Sequence, residues 1–395
     1  MAHKLARKPT VFRLDDTFGQ GRLNQELDLM DWEMQTTSVV IVGAGFSAAA
    51  SDGKMPLMTG FFDQLTKDHF PELFEFVSEV GCSCRCPTIA QANVESVLTS
   101  LDQMRTAPVR ALRGTLAKFR GSFPSIQAQL TSYTLNRLKQ GACVEATNWA
   151  AQLLACCGFA TTVISMNYDN LAESILSNRD GVHHGNRNPN CPHCRMRLLL
   201  SEACSCNVKS DKLGDLWRGA ILKPHGSVAW RRCLNNNCCN HECLVADQNC
   251  RPFEPCKCNY CDTECAPVMV LPTMSKNLGE IREIAVMWDA AYEALKHADS
   301  LLLFGFSLPK SDELLTQTIR SAVSEGRKLK KVASIDLNPE AVLHRFEDCL
   351  PHGIDVDTTA LPVQVSCDPI WLPDKVKQIC HEMSVQSALD EALRS

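Results

Sequence analysis

The stretch Ser38-Val39-Val40-Ile41-Val42, running directly into Gly43-Ala44-Gly45-Phe46-Ser47, constrains this chain more than any other. Five β-favouring or apolar residues without alternation suit a strand covered on both faces, as in a parallel sheet. The glycines that follow let the backbone turn tightly and let a phosphate come close. A helix starting here would aim unpaired N–H groups and the positive end of its dipole at that anion. Ala48 completes G-x-G-x-x-A. Taken alone, the same pattern also fits an ordinary strand-to-helix turn.

The downstream chain repeats the strand-then-helix alternation. Thr161–Met166 and Ala220–Lys223 read as strands, as do Val268–Leu271, Ser300–Phe304, Lys331–Ile335 and Leu361–Val365. Helical spacing is carried by Gly60–Phe76, by Val94, Val97, Leu98 and Leu101, by Leu130, Leu135 and Leu138, and by Trp288–Leu295. Strands separated by helices predict an α/β fold with a parallel sheet and right-handed crossovers. A dinucleotide dehydrogenase is disfavoured. Gly53 and Pro56 cut the first helix short, and no second strand with a ribose-binding acid follows. The organisation read from the chain is an N-terminal arm at 1–36, a main domain at 37–345 and a C-terminal strand-and-helix extension at 346–395. The main domain carries a helical insertion at 62–158 and a cysteine-rich module at 183–270.

A net charge of -5 gives no reason to expect a nucleic-acid partner. The basic run Gly326–Lys331 reads as a solvated turn. No apolar run reaches the ~18 residues of a membrane span, and no secretory h-region is visible, so the chain reads as cytoplasmic with no membrane partner. There thiols stay reduced, and 22 cysteines, thirteen of them between 191 and 265, argue for metal rather than disulfides. Zinc takes four thiolates, two from each tight turn. The spacing suggests Cys191, Cys194, Cys204 and Cys206 for one ion and Cys233, Cys238, Cys258 and Cys261 for another. Cys239, His241, Cys243, Cys250, Cys256 and Cys265 are alternative ligands, and Cys82, Cys84 and Cys86 are either a further metal run or a plain loop. A closed four-cysteine site is structural, because no position stays open for a reactant. Cys143, Cys156, Cys157, Cys349, Cys367 and Cys380 read as small core residues.

Five strands end in small polar or catalytic-type residues: Ser47, Asn167 with Asp169, His225, Ser307 and Asn338. Ligands of open parallel sheets bind at such ends. In order, Gly43-Ala44-Gly45-Phe46-Ser47, Asn167-Tyr168-Asp169, Lys223-Pro224-His225-Gly226-Ser227, Gly305-Phe306-Ser307-Leu308-Pro309 and Leu337-Asn338-Pro339 resemble the SIR2 (sirtuin) superfamily. The nearer likeness is to its divergent branch, which includes bacterial NAD-cleaving antiphage defence proteins. The resemblance implies a Rossmann-like sheet with a helical and a zinc module, and NAD as substrate. It implies that Gly43, Ala44, Gly45, Phe46 and Ser47 form the phosphate loop. Gly305, Ser307 and Asn338 would lie toward the phosphate and adenosine end, with Asp336 as an alternative to Asn338. It also puts a zinc ribbon after the Gly-Ser-x-x-Trp stretch. Relatives of the defence type assemble, so a homo-oligomer is among the expectations.

The bond at issue joins nicotinamide to ribose. Cationic nicotinamide leaves without a general acid, so the site must stabilise an oxocarbenium-like sugar and deliver a nucleophile. The Asn167 amide can donate to and accept from sugar hydroxyls or a water. The His225 imidazole can take a proton near neutral pH. Asp169 would orient the loop or meet the nicotinamide amide. Met166 stands where deacylases carry Gln. Gly53–Met58 lacks the deacylase Arg, and no Phe-Gly-Glu peptide-docking segment follows His225. These departures favour NAD hydrolysis over protein deacylation or ADP-ribosyl transfer. A non-catalytic NAD or ADP-ribose sensor is the alternative from another class.

Overall fold

The computed structural model describes residues 38–58, 60–81, 88–92, 94–106, 114–141, 148–156, 161–178, 221–238, 256–258, 260–270, 282–309, 312–351 and 353–362. All belong to one compact unit, Thr36–Ser395. The arm at 1–36, the cysteines 82–86 and 191–206, and the chain beyond 362 lie outside the described residues.

In chain order the strands are β1 (Ser38–Val42), β2 (Thr162–Ser165), β3 (Ile221–Leu222), β4 (Gly226–Cys233), β5 (Cys256–Lys257), β6 (Glu264–Met269), β7 (Ser300–Phe304), β8 (Lys331–Asp336) and β9 (Asp357–Pro362). Six form one parallel sheet in the order β3-β2-β1-β7-β8-β9. β1 is therefore central, which explains its unbroken apolar run. Val39, Val40, Ile41 and Val42 are all fully buried, each contributing roughly 1.5–3 kcal/mol relative to exposure. The chain leaves β1 to build one side of the sheet and returns through β7 to build the other. The strand order thus reverses between β1 and β7.

The helices are α1 (Ala44–Ala50), α2 (Pro71–Val80), α3 (Val94–Thr106), α4 (Thr115–Phe119), α5 (Phe123–Gln140), α6 (Trp149–Cys156), α7 (Leu171–Asn178), α8 (Arg282–His297), α9 (Glu313–Gly326) and α10 (Pro339–Glu347). Between β1 and β2, helices α2 to α5 share their own apolar cluster, which includes Phe62, Phe76, Val97, Leu101 and Tyr133. The helix expected over Gly60–Phe76 begins only at Pro71. Gly60 has φ +79°, outside the helical region, and Pro71 presets the first turn. Phe61 and Phe62 still pack on Tyr133, whose hydroxyl donates to the Phe61 carbonyl at 2.7 Å.

The remaining three strands form an antiparallel sheet in the order β4-β6-β5. Here the expected strand Val268–Leu271 starts earlier, at Glu264, and pairs within this second sheet. The edge strand expected at Leu361–Val365 likewise starts earlier, at Asp357, and 363–365 lie outside the described residues. Thr358 and Thr359 carry the β-branched pattern, and Pro362 stands at the last position of this sheet-edge strand. Arg327, in the left-handed conformation at φ 47°, closes α9 and opens the basic turn before β8. Among the described residues, no helix is long and apolar enough to cross a membrane.

Candidate functional site

The reversal between β1 and β7 places two glycine turns side by side at the carboxyl ends of these strands. They interlock. The Gly43 amide donates to the Phe304 carbonyl at 3.1 Å, and the Gly45 amide donates to the Gly305 carbonyl at 2.9 Å. Gly305 has φ +57°, and a Cβ there would lie 2.0 Å from the Phe46 nitrogen; a Cβ on Gly43 would lie 2.5 Å from the Gly305 oxygen. Backbone against backbone at this range leaves room for hydrogen only.

That closeness corrects one expectation. The loop does not present a row of unpaired amides. Gly43 and Gly45 are spent on the neighbouring turn, and the Phe46 amide donates to the Gly43 carbonyl at 3.0 Å. Among the described residues, the Ala44 amide alone in this turn has no hydrogen-bond partner. Phe46, expected at the cofactor loop, turns its ring fully inward and meets Phe304 edge-on at 5.0 Å. Only its backbone can face a ligand.

Ser47 is redirected too. Its hydroxyl donates to Asp169 Oδ2 at 2.7 Å, and it accepts from Asn167 Nδ2 at 2.8 Å. The second Asn167 amide hydrogen goes to the Gly43 carbonyl at 2.7 Å. A carbonyl only accepts, so the orientation of the Asn167 amide is forced. Both its donors are committed to the protein, and among the described residues no hydrogen bond engages Oδ1. The side chain expected to donate and accept is thereby an acceptor alone. Asp169 ends the relay: its Oδ1 accepts from the Leu171 amide at 3.0 Å and anchors the start of α7. With both oxygens engaged by the protein, Asp169 has the loop-orienting role.

A buried ion pair braces this loop from below. Lys223, fully buried at the end of β3, donates to the Asp169 carbonyl and meets Glu173 Oε1 at 2.7 Å. Burial pushes the Glu173 carboxyl above its ordinary value, with the Lys223 charge opposing that shift. The sequence signal for this pair is a lysine at the end of an apolar run, and it reads only as a strand terminus.

His225 joins the same rim. Its Nδ1 donates to the carbonyl of Met166, the residue before Asn167, at 3.2 Å. Its turn is pinned on two sides: the Val228 amide donates to the Tyr168 carbonyl and the Val270 amide to the His225 carbonyl, both at 2.8 Å. Gly226 permits the turn with φ +82°. Tyr168 and Trp288 flank the imidazole at ring separations of 6.2 and 6.0 Å. The other ring nitrogen faces Asp312 Oδ1 at 3.2 Å. Asp312 escaped the sequence reading because an aspartate just before a helix looks like an N-cap; here its side chain makes no capping bond.

No protein-family model and no curated protein matches this chain.

The outlying expected residues lie farther along the rim. Ser307 is exposed, and its carbonyl accepts from Arg345 Nε at 2.8 Å. Asn338 is exposed and caps α10, its side chain accepting from the Ala341 amide at 3.3 Å. Asp336 Oδ1 in turn accepts from the Asn338 amide at 3.1 Å. These contacts account for both residues as turn and cap formers.

In the second sheet, Cys233, Cys238, Cys258 and Cys261 bring their sulfurs within 4.8 Å of one another. Cys233 and Cys261 are 3.4 Å apart, and Cys238 and Cys258 are 3.7 Å apart. A tetrahedron with Zn–S bonds of ~2.3 Å has edges near ~3.8 Å. The four thiols therefore fit a metal ion such as zinc, and they are the set that the spacing suggested. Bonds from Thr263 hold the Cys261 thiol down at about 6, while burial pushes Cys265 up to about 11 and Cys233 upward. Cys256 departs from the all-thiol expectation, being disulfide-bonded. The other proposed four-cysteine set lies outside the described residues.

Proposed function

We propose that this protein is an NAD hydrolase of the SIR2 type, built on a Rossmann-like sheet. The supporting observation is the convergence at the β1–β7 reversal of a glycine turn and an asparagine whose amide hydrogens are both locked by the protein, leaving Oδ1 as its acceptor. Taken among themselves, the six strands run 3-2-1-4-5-6, the order in which dinucleotides bind across the reversal point. In this reading the Ala44 amide and the glycine surface hold the phosphates. Asn167 Oδ1 accepts a hydrogen bond from a ribose hydroxyl or the attacking water. Water adds to the ribose carbon as nicotinamide leaves with the glycosidic electron pair, and one proton is released. A fixed dipole aimed at a developing cation needs no reorganisation during the reaction. The four-cysteine site would hold zinc as a structural ion.

Incubating the purified protein with NAD and following nicotinamide tests this. Release without any peptide is expected, with Asn167→Ala and His225→Ala losing turnover while retaining zinc. A drop on the order of 10²–10³-fold is expected for Asn167→Ala, as for loss of one preorganised polar group. Release only in the presence of an acyl-peptide would make the protein a deacylase. Binding without release would make it a sensor.

A further inference from the structure

His225 lies between two oxygens. Nδ1 faces the Met166 carbonyl at 3.2 Å and Nε2 faces Asp312 Oδ1 at 3.2 Å. The carbonyl can only accept, so Nδ1 carries a proton. A carboxylate also only accepts. One further proton must therefore sit between Nε2 and Asp312. An imidazole nitrogen is a stronger base than a carboxylate oxygen, so the proton belongs on nitrogen. Both side chains are nearly out of solvent, 3% and 5% exposed. Either charge alone there would be costly, and each offsets the other. Tyr168, whose ring flanks the imidazole, does not compete: desolvation and then the Asp312 charge push its phenol well above its ordinary value, and its hydroxyl donates to the Val270 carbonyl at 2.6 Å.

We infer that Asp312 is the positioning residue of His225, holding the ring as an imidazolium–carboxylate pair across the rim. The inference deepens the NAD-hydrolase reading and, for its catalytic consequence, rests on it. A ring with two protons donates and cannot accept. Asp312 follows β7 while His225 follows β3 at the far edge, so this pair ties together the two arms of the sheet on either side of β1.

The test uses the full-length protein labelled with ¹⁵N-histidine, with the His225 signals identified by their loss in His225→Gln. Two ring protons on His225 at neutral pH are expected in the wild type. Loss of the Nε2 proton is expected in Asp312→Asn, and its recovery in Asp312→Glu. A single ring proton in the wild type overturns the inference, and this arm needs no variant to fold. An Asp312→Asn spectrum identical to the wild type overturns it as well. In the nicotinamide assay, kcat for Asp312→Asn should fall on the order of 10²-fold with little change in KM. A change confined to KM would contradict a positioning role. If the wild type releases no nicotinamide, the NAD reading fails, while the spectra still decide the pair.

Discussion

The rim of the parallel sheet and the cysteine-bearing antiparallel sheet are held together by different physics. Beneath the rim lies an apolar core in which Val40, Val42, Phe46, Leu302 and Phe304 are almost entirely buried. On that base, directional hydrogen bonds set individual side chains, as in the Asn167–Ser47–Asp169 relay. The buried cluster of the second sheet, Cys233, Cys256, Cys258 and Cys265 with Cys238 and Cys261 packed against it, consists wholly of cysteines. Sulfurs so placed give little hydrophobic driving force, and the mutual approach of Cys233, Cys238, Cys258 and Cys261 makes sense as a shell around an ion. One region is held by protein groups alone. The other offers a shell for an ion.

Removing the metal should separate the two most sharply. Structural zinc contributes about 10 kcal/mol or more to small sites of this kind. After treatment with a strong chelator, amides of β4, β5 and β6 should lose hydrogen-exchange protection, while those of β1, β7 and β8 keep theirs. Equal loss in both sheets would show that the regions fold as one unit. Gly305→Ala should strike the opposite side, because its methyl group would meet the Phe46 nitrogen at a φ that disfavours any side chain. A destabilisation of about 3 kcal/mol or more in chemical denaturation is expected, with metal content unchanged.

Ser47→Ala is milder and separates relay from cradle. It leaves Asn167 Nδ2 and Asp169 Oδ2 each short of a partner, at a cost of about 1–3 kcal/mol. If the hydroxyl only serves the relay, kcat for nicotinamide release should fall while KM for NAD holds. A rise in KM alone would return Ser47 to phosphate binding. The smallest effect concerns pH. Glu173 in the folded protein sits above its ordinary 4.5, so the native state holds that proton more tightly than the unfolded chain. Its contribution to stability is full below 4.5 and is lost as pH rises through the raised value. Thermal unfolding from pH 4.5 to 7 should therefore show the wild type losing ground against Glu173→Gln. Parallel curves would remove Glu173 from the account of the rim.

How far the sequence could be read follows the same division. The central strand was legible because burial on both faces writes itself as an unbroken run from Val39 to Val42. The ligand set Cys233, Cys238, Cys258 and Cys261 was legible because tight turns confine paired sulfurs to short spacings. Ser47 was misread. A serine after a glycine turn looks the same whether its lone pairs await a phosphate or are already in use, and the decisive partners come from Asn167 and Asp169. The start of α2 was misread because helical spacing at Phe61 and Phe62 also arises in turns that fold back on a neighbour such as Tyr133.

By itself, then, the sequence determined what depends on near neighbours: which runs are buried strands, where glycine must turn the chain, and which cysteines can share an ion. Only the tertiary structure decided the polarity of the site. It committed both Asn167 amide hydrogens to Gly43 and Ser47, spent the Gly45 amide on Gly305, and set Asp312 against His225. Each of these is a hydrogen bond between segments far apart in the chain. Its direction is fixed by which partner can donate, and no local pattern carries that information.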